Sequence, residues 1–177
     1  MLNDNNDTRR RTVCLRKPEA TDGPEIWSLV KSCKPLDENS MYANLIQADH
    51  FSETCVVAEV DGQIAGWVSG HMIPDTNEIF VWQVAVDPAA RGLGLGKRML
   101  IELIEREACA DATALKTTIT RDNDASWALF KSFARHIGGS LDDEPHFERD
   151  AHFEGQHATE HMVTISLPKV DALSRAA

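Results

Sequence analysis

Ile79 to Gly96 reads IFVWQVAVDPAARGLGLG. An apolar run rich in β-branched and aromatic residues meets an Asp-Pro turn, and Arg-Gly-x-Gly-x-Gly then opens an amphipathic segment. The order predicts strand, loop, helix. A loop of this kind sets several backbone N–H groups at a helix N-terminus, where they can cradle an anionic diphosphate. The spacing excludes two commoner phosphate loops. A dinucleotide fingerprint starting at Gly92 needs glycine at 97, where Lys97 stands, and a triphosphatase loop needs Ser or Thr after Gly-Lys, where Arg98 follows Gly96-Lys97.

Upstream, the valine-rich run Cys55–Val60 ends in Asp61-Gly62, a hairpin turn. Gln63–His71 returns, and Glu78–Val86 follows the turn Pro74-Asp75-Thr76-Asn77. Thr12–Lys17 reads as a first strand. Asp22 is placed to cap a helix with Pro24 in its first turn and Ile26, Leu29 and Val30 as its apolar face. A second helix starts at Asn39 or Ser40, with Tyr42, Leu45 and Ile46 on one side. Downstream of the glycines, Leu100, Leu103, Ile104 and Ala108 take core spacing, leaving Glu102, Glu105 and Arg106 to water. Ala114–Thr120 is another strand. Asn123–His136 is a helix carrying Ser126, Phe130, Phe133 and Ile137 on one stripe, ended by Gly138-Gly139, and His161–Leu167 is the last strand. This order predicts a mixed α/β sheet with helices on both faces.

A chain of 177 residues can bury a real core. One domain is expected over 12–168, with a disordered tail at 1–11 and a flexible one at 169–177. Net charge of -10 and a pI near 5.1 argue against nucleic acid or an anionic membrane as partner and suit a cationic small molecule. The polar start MLNDNNDTRRR lacks the apolar section of a signal peptide. Cys14, Cys33, Cys55 and Cys109 are widely spaced with no CxxC pair, as expected of reduced thiols, so the cytoplasm is the expected location.

The glycine loop resembles that of the GNAT superfamily of acetyl-coenzyme A-dependent N-acetyltransferases. Arg91-Gly92-Leu93-Gly94-Leu95-Gly96 fits its Arg/Gln-x-x-Gly-x-Gly/Ala motif. Asn123-Asp124-Ala125-Ser126-Trp127-Ala128-Leu129-Phe130 fits its later Asn-x-x-Ala/Ser-x-x-Leu-Tyr helix with one departure. The family often has tyrosine at the last position, placed to protonate the departing thiolate; Phe130 has no proton to give. The resemblance, covering 12–167, implies a mostly antiparallel sheet with a splayed strand pair at the acyl-coenzyme A site. It implies acetyl-CoA as cosubstrate and a homodimer as well.

For acetyl-CoA, the diphosphate is expected on the amides from Gly92 to Lys97, with Arg91 and Lys97 adding charge and Leu93, Leu95, Asn123, Ser126 and Phe130 beside it. The pantetheine arm would lie along Gln83–Val86, touching Val84, Ala85 and Val86. The Val84 N–H is the expected donor to the tetrahedral oxyanion. No cysteine has a sequence-visible histidine arrangement, so direct transfer is expected.

Less general segments narrow the likeness. Leu36-Asp37-Glu38-Asn39-Ser40-x-Tyr42, His50–Cys55, Val81–Pro88, Thr118–Thr120, and Phe153-x-x-x-His157-x-x-Glu160 are similar to the diaminobutyrate acetyltransferases of the ectoine pathway. That resemblance implies acetyl transfer to the γ-amine of L-2,4-diaminobutyrate. Asp37 and Glu160 are then the ammonium partners, Tyr42 a positioning hydroxyl, and Trp82 a wall with a cation–π face. His157 or Glu160 is the base. The residues alone also allow a solvated Asp37 and core packing for Trp82 and Tyr42. His157 and His161 share one side of an expected strand, but not the helical His-Glu-x-x-His pattern, so no metal is expected. Arg121 is placed for a phosphate or the substrate carboxylate. Other readings are a different small diamine or amino acid as acceptor, a peptide N-terminal acetyltransferase, and a non-catalytic acyl-CoA sensor.

Overall fold

The computed structural model describes residues 11–34 and 36–168. The chain runs β1 (Val13–Arg16), α1 (Gly23–Ser32), α2 (Met41–His50), β2 (Val56–Val60), β3 (Gln63–Met72) and β4 (Glu78–Val86). It continues through α3 (Leu95–Ile104), β5 (Ala114–Thr120), α4 (Asp124–Ile137), β6 (Leu141–Phe147), α5 (Arg149–Phe153) and β7 (Glu160–Ser166). The two expected tails lie outside the described residues, apart from Arg11, which donates to Ala89 O at 2.8 Å. Asp61 and Gly62 take positive φ of 53° and 81°, the mirror-image turn that matches strand twist in a tight hairpin.

Seven strands form one sheet in the order β1-β2-β3-β4-β5-β7-β6, antiparallel throughout except for β4 and β5. One face is covered by α3 and α4, whose Met99, Leu100, Leu103, Phe130 and Phe133 pack on Val56, Val68, Ile79, Val81 and Ile165. The other is covered by α1, whose Ile26, Leu29 and Val30 pack on Val57, Trp67 and Ala85. Fully burying side chains such as Phe133 or Leu103, both 0% exposed, stabilises by roughly 1.5–3 kcal/mol each.

Two features of β4 shape the middle of the sheet. Ser69 faces Gln83 and Gly70 faces Val81, so Trp82 is an extra residue, a β-bulge. The bulge exchanges the faces of the strand. Before it, Ile79 and Val81 enter the α3–α4 core; after it, Ala85 enters the α1 core while Val84 and Val86 pack on the α3–α4 side. The second feature is a splay. β5 pairs with β4 only where Ala114–Lys116 lie opposite Glu78–Phe80. Beyond that the two strands part.

Several local expectations are corrected. Asp22 does not cap α1 through its side chain; its carboxylate accepts from Arg16 at 2.7 and 2.9 Å and from the Glu19 N–H at 2.7 Å. Ser40, not Asn39, caps α2, accepting from the Ala43 N–H at 3.1 Å. That helix turns Asn44, Gln47 and Ala48 inward, leaving Tyr42 71% exposed. Past the end of α3, Cys109 is buried and Ala108 is not. Arg106 is buried too, because the carbonyls of Ser52, Glu53 and Cys55 all accept from its guanidinium. β6 and α5 are elements beyond those expected.

Candidate active site

The splay opens a cavity of about 360 Å³. Val81, Val84 and Phe130 give it an apolar wall, Thr118 and Thr120 add hydroxyls, Asp37, Asp122 and Glu160 bring carboxyl groups, and His157 brings an imidazole. Trp82 lines it as well and is 56% exposed, so the bulge turns this ring outward into the site rather than into the core.

Strand alternation fixes which backbone groups face the gap. The Asp87 N–H donates to Ala65 O at 2.8 Å, toward β3. Backbone groups along a strand point to alternate sides, so those of Ala85 and Gln83 also face β3. Those of Val84 and Val86 face the open side, where β5 has already departed. The expected oxyanion donor is therefore a ladder group with no ladder partner.

The histidine tautomer is set by one contact. His157 Nδ1 lies 2.7 Å from Ala158 O. A carbonyl only accepts, so Nδ1 carries the proton and Nε2 of the neutral ring holds the lone pair. Nε2 stands 3.9 Å from Glu160 Oε1. The other oxygen, Oε2, is buried with no hydrogen-bond partner among the described residues, an acceptor in want of a donor. Burial pushes the Glu160 carboxyl above its ordinary value; His157 and Thr118 pull against this, while the charges of Asp37 and Asp122 add to it. The Thr120 hydroxyl holds Asp122 below its ordinary value.

The glycine loop approaches the same wedge from β4's far end. Gly92 and Gly94 take positive φ of 84° and 68°, and a Cβ on either would meet nothing within 4 Å. Gly96 is packed instead, with Leu129 3.2 Å and Val84 3.7 Å from where its Cβ would stand. Arg98 is the first amide of α3 to find a carbonyl, that of Gly94 at 3.1 Å. The amides of Gly92 to Lys97 are left without a backbone acceptor among the described residues. Open backbone, unpaired amides and the positive end of α3 fit a diphosphate. Arg91 is exposed and Lys97 half-buried beside them, while Leu93 and Leu95 pack toward the core. Asn123 caps α4, its Oδ1 accepting from the Ser126 N–H at 3.1 Å, and both residues line the cavity. Phe130 is 3% exposed, part of the core and the wall together.

The structure thus brings Asp37, Trp82, Val84, Asn123, Ser126, Phe130, His157 and Glu160 to one cavity. Tyr42 is not among its lining residues; the polar inner face of α2 turns its ring to solvent. Arg121 pairs with Asp143, lies 5.2 Å from the Trp127 ring and is not among the residues lining the cavity. His157 precedes β7, and His161 stands apart from it, 3.6 Å from Asp143. Sequence reading missed Asp122, whose place depends on the turn after β5. It also missed Gln83, whose polar side chain inside an apolar strand was the available signal.

The family model for the acetyltransferase (GNAT) family matches residues 23–134. The L-2,4-diaminobutyric acid acetyltransferase of Vibrio parahaemolyticus is 47% identical over 154 residues, which span 86% of this chain and 85% of that one. That of Halomonas elongata is 42% identical, over 90% of this chain and 83% of its own. Among solved structures, the diaminobutyrate acetyltransferase EctA from Paenibacillus lautus, in complex with its substrate L-2,4-diaminobutyric acid and coenzyme A, superposes with a TM-score of 0.85 at 32% identity, covering 92% of this chain and 98% of that one. The ribosomal-protein-S18-alanine N-acetyltransferase of Escherichia coli, at 17% identity and a TM-score of 0.63, shares the fold. The chain belongs to the GNAT acetyltransferases and, within them, to the diaminobutyrate acetyltransferase family.

Proposed function

We propose that this chain moves the acetyl group of acetyl-CoA onto the γ-amine of L-2,4-diaminobutyrate, giving the N4-acetyl product and coenzyme A for ectoine synthesis. One observation carries the reading: Asp37, Asp122, Glu160 and His157 surround a single cavity that opens beside the unpaired backbone of Val84. A substrate with two ammonium groups and one carboxylate suits that surplus of acceptors.

The carboxylates hold the ammonium groups, and Trp82 closes one wall. His157 Nε2 takes the proton from the γ-ammonium, directly or through a water, with Glu160 stabilising the imidazolium that results. The freed amine nitrogen attacks the thioester carbon, and the carbonyl electrons move to oxygen, where the Val84 N–H meets the new charge. The oxyanion then re-forms the carbonyl, the C–S bond breaks with its electron pair leaving on sulfur, and the nitrogen's second proton passes to solvent water. Phe130 offers no proton to the departing sulfur, so coenzyme A leaves as the thiolate or draws its proton from water or another residue.

We read residues 12–168 as one domain and the working unit as a homodimer. The open edge strands β1 and β6 support the latter. Free thiols at Cys33, Cys55 and Cys109 suit the cytoplasm. Direct transfer is tested by incubating the protein with radiolabelled acetyl-CoA alone: no label should stay on the denatured chain, and a stable acetyl-protein adduct would contradict the scheme.

A further inference from the structure

We infer that Gln83 is a positioning residue for the diamino acid, holding Asp37 in place beside it on the wall of the cavity that both residues line. Gln83 is 5% exposed. Its Nε2 donates to the Asp37 carbonyl at 2.8 Å, and its Oε1 accepts from Asn39 Nδ2 at 2.9 Å. Since the carbonyl can only accept, the orientation of the Gln83 amide is fixed, and Asn39 must offer its NH₂. One side chain thus grips the segment Asp37–Asn39 at both ends. The Trp27 indole N–H adds a third tie, to the Asn39 carbonyl at 3.1 Å.

Beyond these ties the segment has the ion pair of Glu38 with Lys34. Residues 37–39 belong to no helix or strand, and among the described residues the Asp37 carbonyl takes no backbone donor. The bulge explains why a β4 residue can reach it. Regular alternation would put Gln83 on the same face as Val81, toward α3 and α4; the bulge at Trp82 breaks that alternation and turns Gln83 toward α1, where the segment passes. Three successive residues then have three tasks around one site. Trp82 walls the cavity, Gln83 fixes the carboxylate that meets the substrate, and Val84 offers its N–H to the gap.

The inference builds on the proposed role of Asp37, and the test separates the two. Gln83→Met keeps the volume and removes both hydrogen bonds. Steady-state kinetics should show KM for diaminobutyrate raised about tenfold, with KM for acetyl-CoA unchanged. In an Asp37→Asn background the same change should add less than about twofold, because a misplaced amide has little left to lose. Asn39→Ala, which spares the core, should move the same constant in the same direction. Equal effects on both KM values, full additivity with Asp37→Asn, or no effect of Asn39→Ala would overturn the inference. If Asp37→Asn itself leaves KM for the amine unchanged, it is the role of Asp37 that fails. If another amine proves the better acceptor, the same split measured with that amine still judges Gln83.

Discussion

Glu160 lines the cavity with one carboxyl oxygen buried and without a hydrogen-bond partner among the described residues. Burial holds its carboxyl above the ordinary value of 4.5, so the folded protein binds that proton more tightly than the unfolded chain. The stability linked to the group is full below pH 4.5 and is lost as pH rises through the higher folded value. Glu160→Gln should therefore resist denaturant better than the parent at neutral pH, with the gap closing toward pH 4.5, while losing turnover. A denaturation series across pH reads the sign, and a gap that widens in acid would contradict it. His157→Ala should lower kcat by about 10²–10⁴-fold, the usual worth of a positioned base. His157, Glu160, Asp37 and Trp82 were reached through segments that resemble the diaminobutyrate acetyltransferases, and all four line one cavity. Tyr42 was misplaced because the inner face of α2 is Asn44, Gln47 and Ala48, so hydrophobic spacing pointed to the wrong side.

At the scale of elements, β4 and β5 span the expected Glu78–Val86 and Ala114–Thr120, and α4, expected over Asn123–His136, runs Asp124–Ile137 with Asn123 as its cap. Such boundaries are local chemistry. β6 was not legible: LDDEPHF has no buried face and contains a proline, which only an edge strand tolerates. The Trp82 bulge leaves no mark in composition either, since it is a relation between β3 and β4. Two substitutions probe elements. Gly94→Ala meets no neighbour but must hold a φ of 68°, at a cost of about 1–2 kcal/mol. It should raise KM for acetyl-CoA and leave KM for the amine alone, the reverse of Gln83→Met. Asp22→Asn removes charge-assisted bonds between β1 and the start of α1. Arg16 holds that carboxyl below its ordinary value of 3.8, so the stability it brings is present above pH 3.8 and is lost as pH falls through the lower folded value. The variant should lose about 2 kcal/mol at neutral pH. Urea titration at the two ends of that range checks both size and sign.

For the whole molecule, a net charge of -10 and a cavity rich in carboxylates share one sign, which steers a dicationic head group inward and weakens in salt. KM for the amine should therefore rise with ionic strength when measured with added salt. Sedimentation should give a particle of twice the 19.6 kDa chain mass; a monomer at micromolar concentration would remove the homodimer from the account. The central claim concerns the acceptor. It is tested most directly by following acetyl-CoA consumption with L-2,4-diaminobutyrate, ornithine, lysine and a short peptide in parallel, with the product's acetyl position assigned by NMR. The account predicts strong preference for diaminobutyrate with the acetyl group on N4. Preference for another amine, acetyl on the α-nitrogen, or binding of acetyl-CoA without turnover of any amine would contradict it.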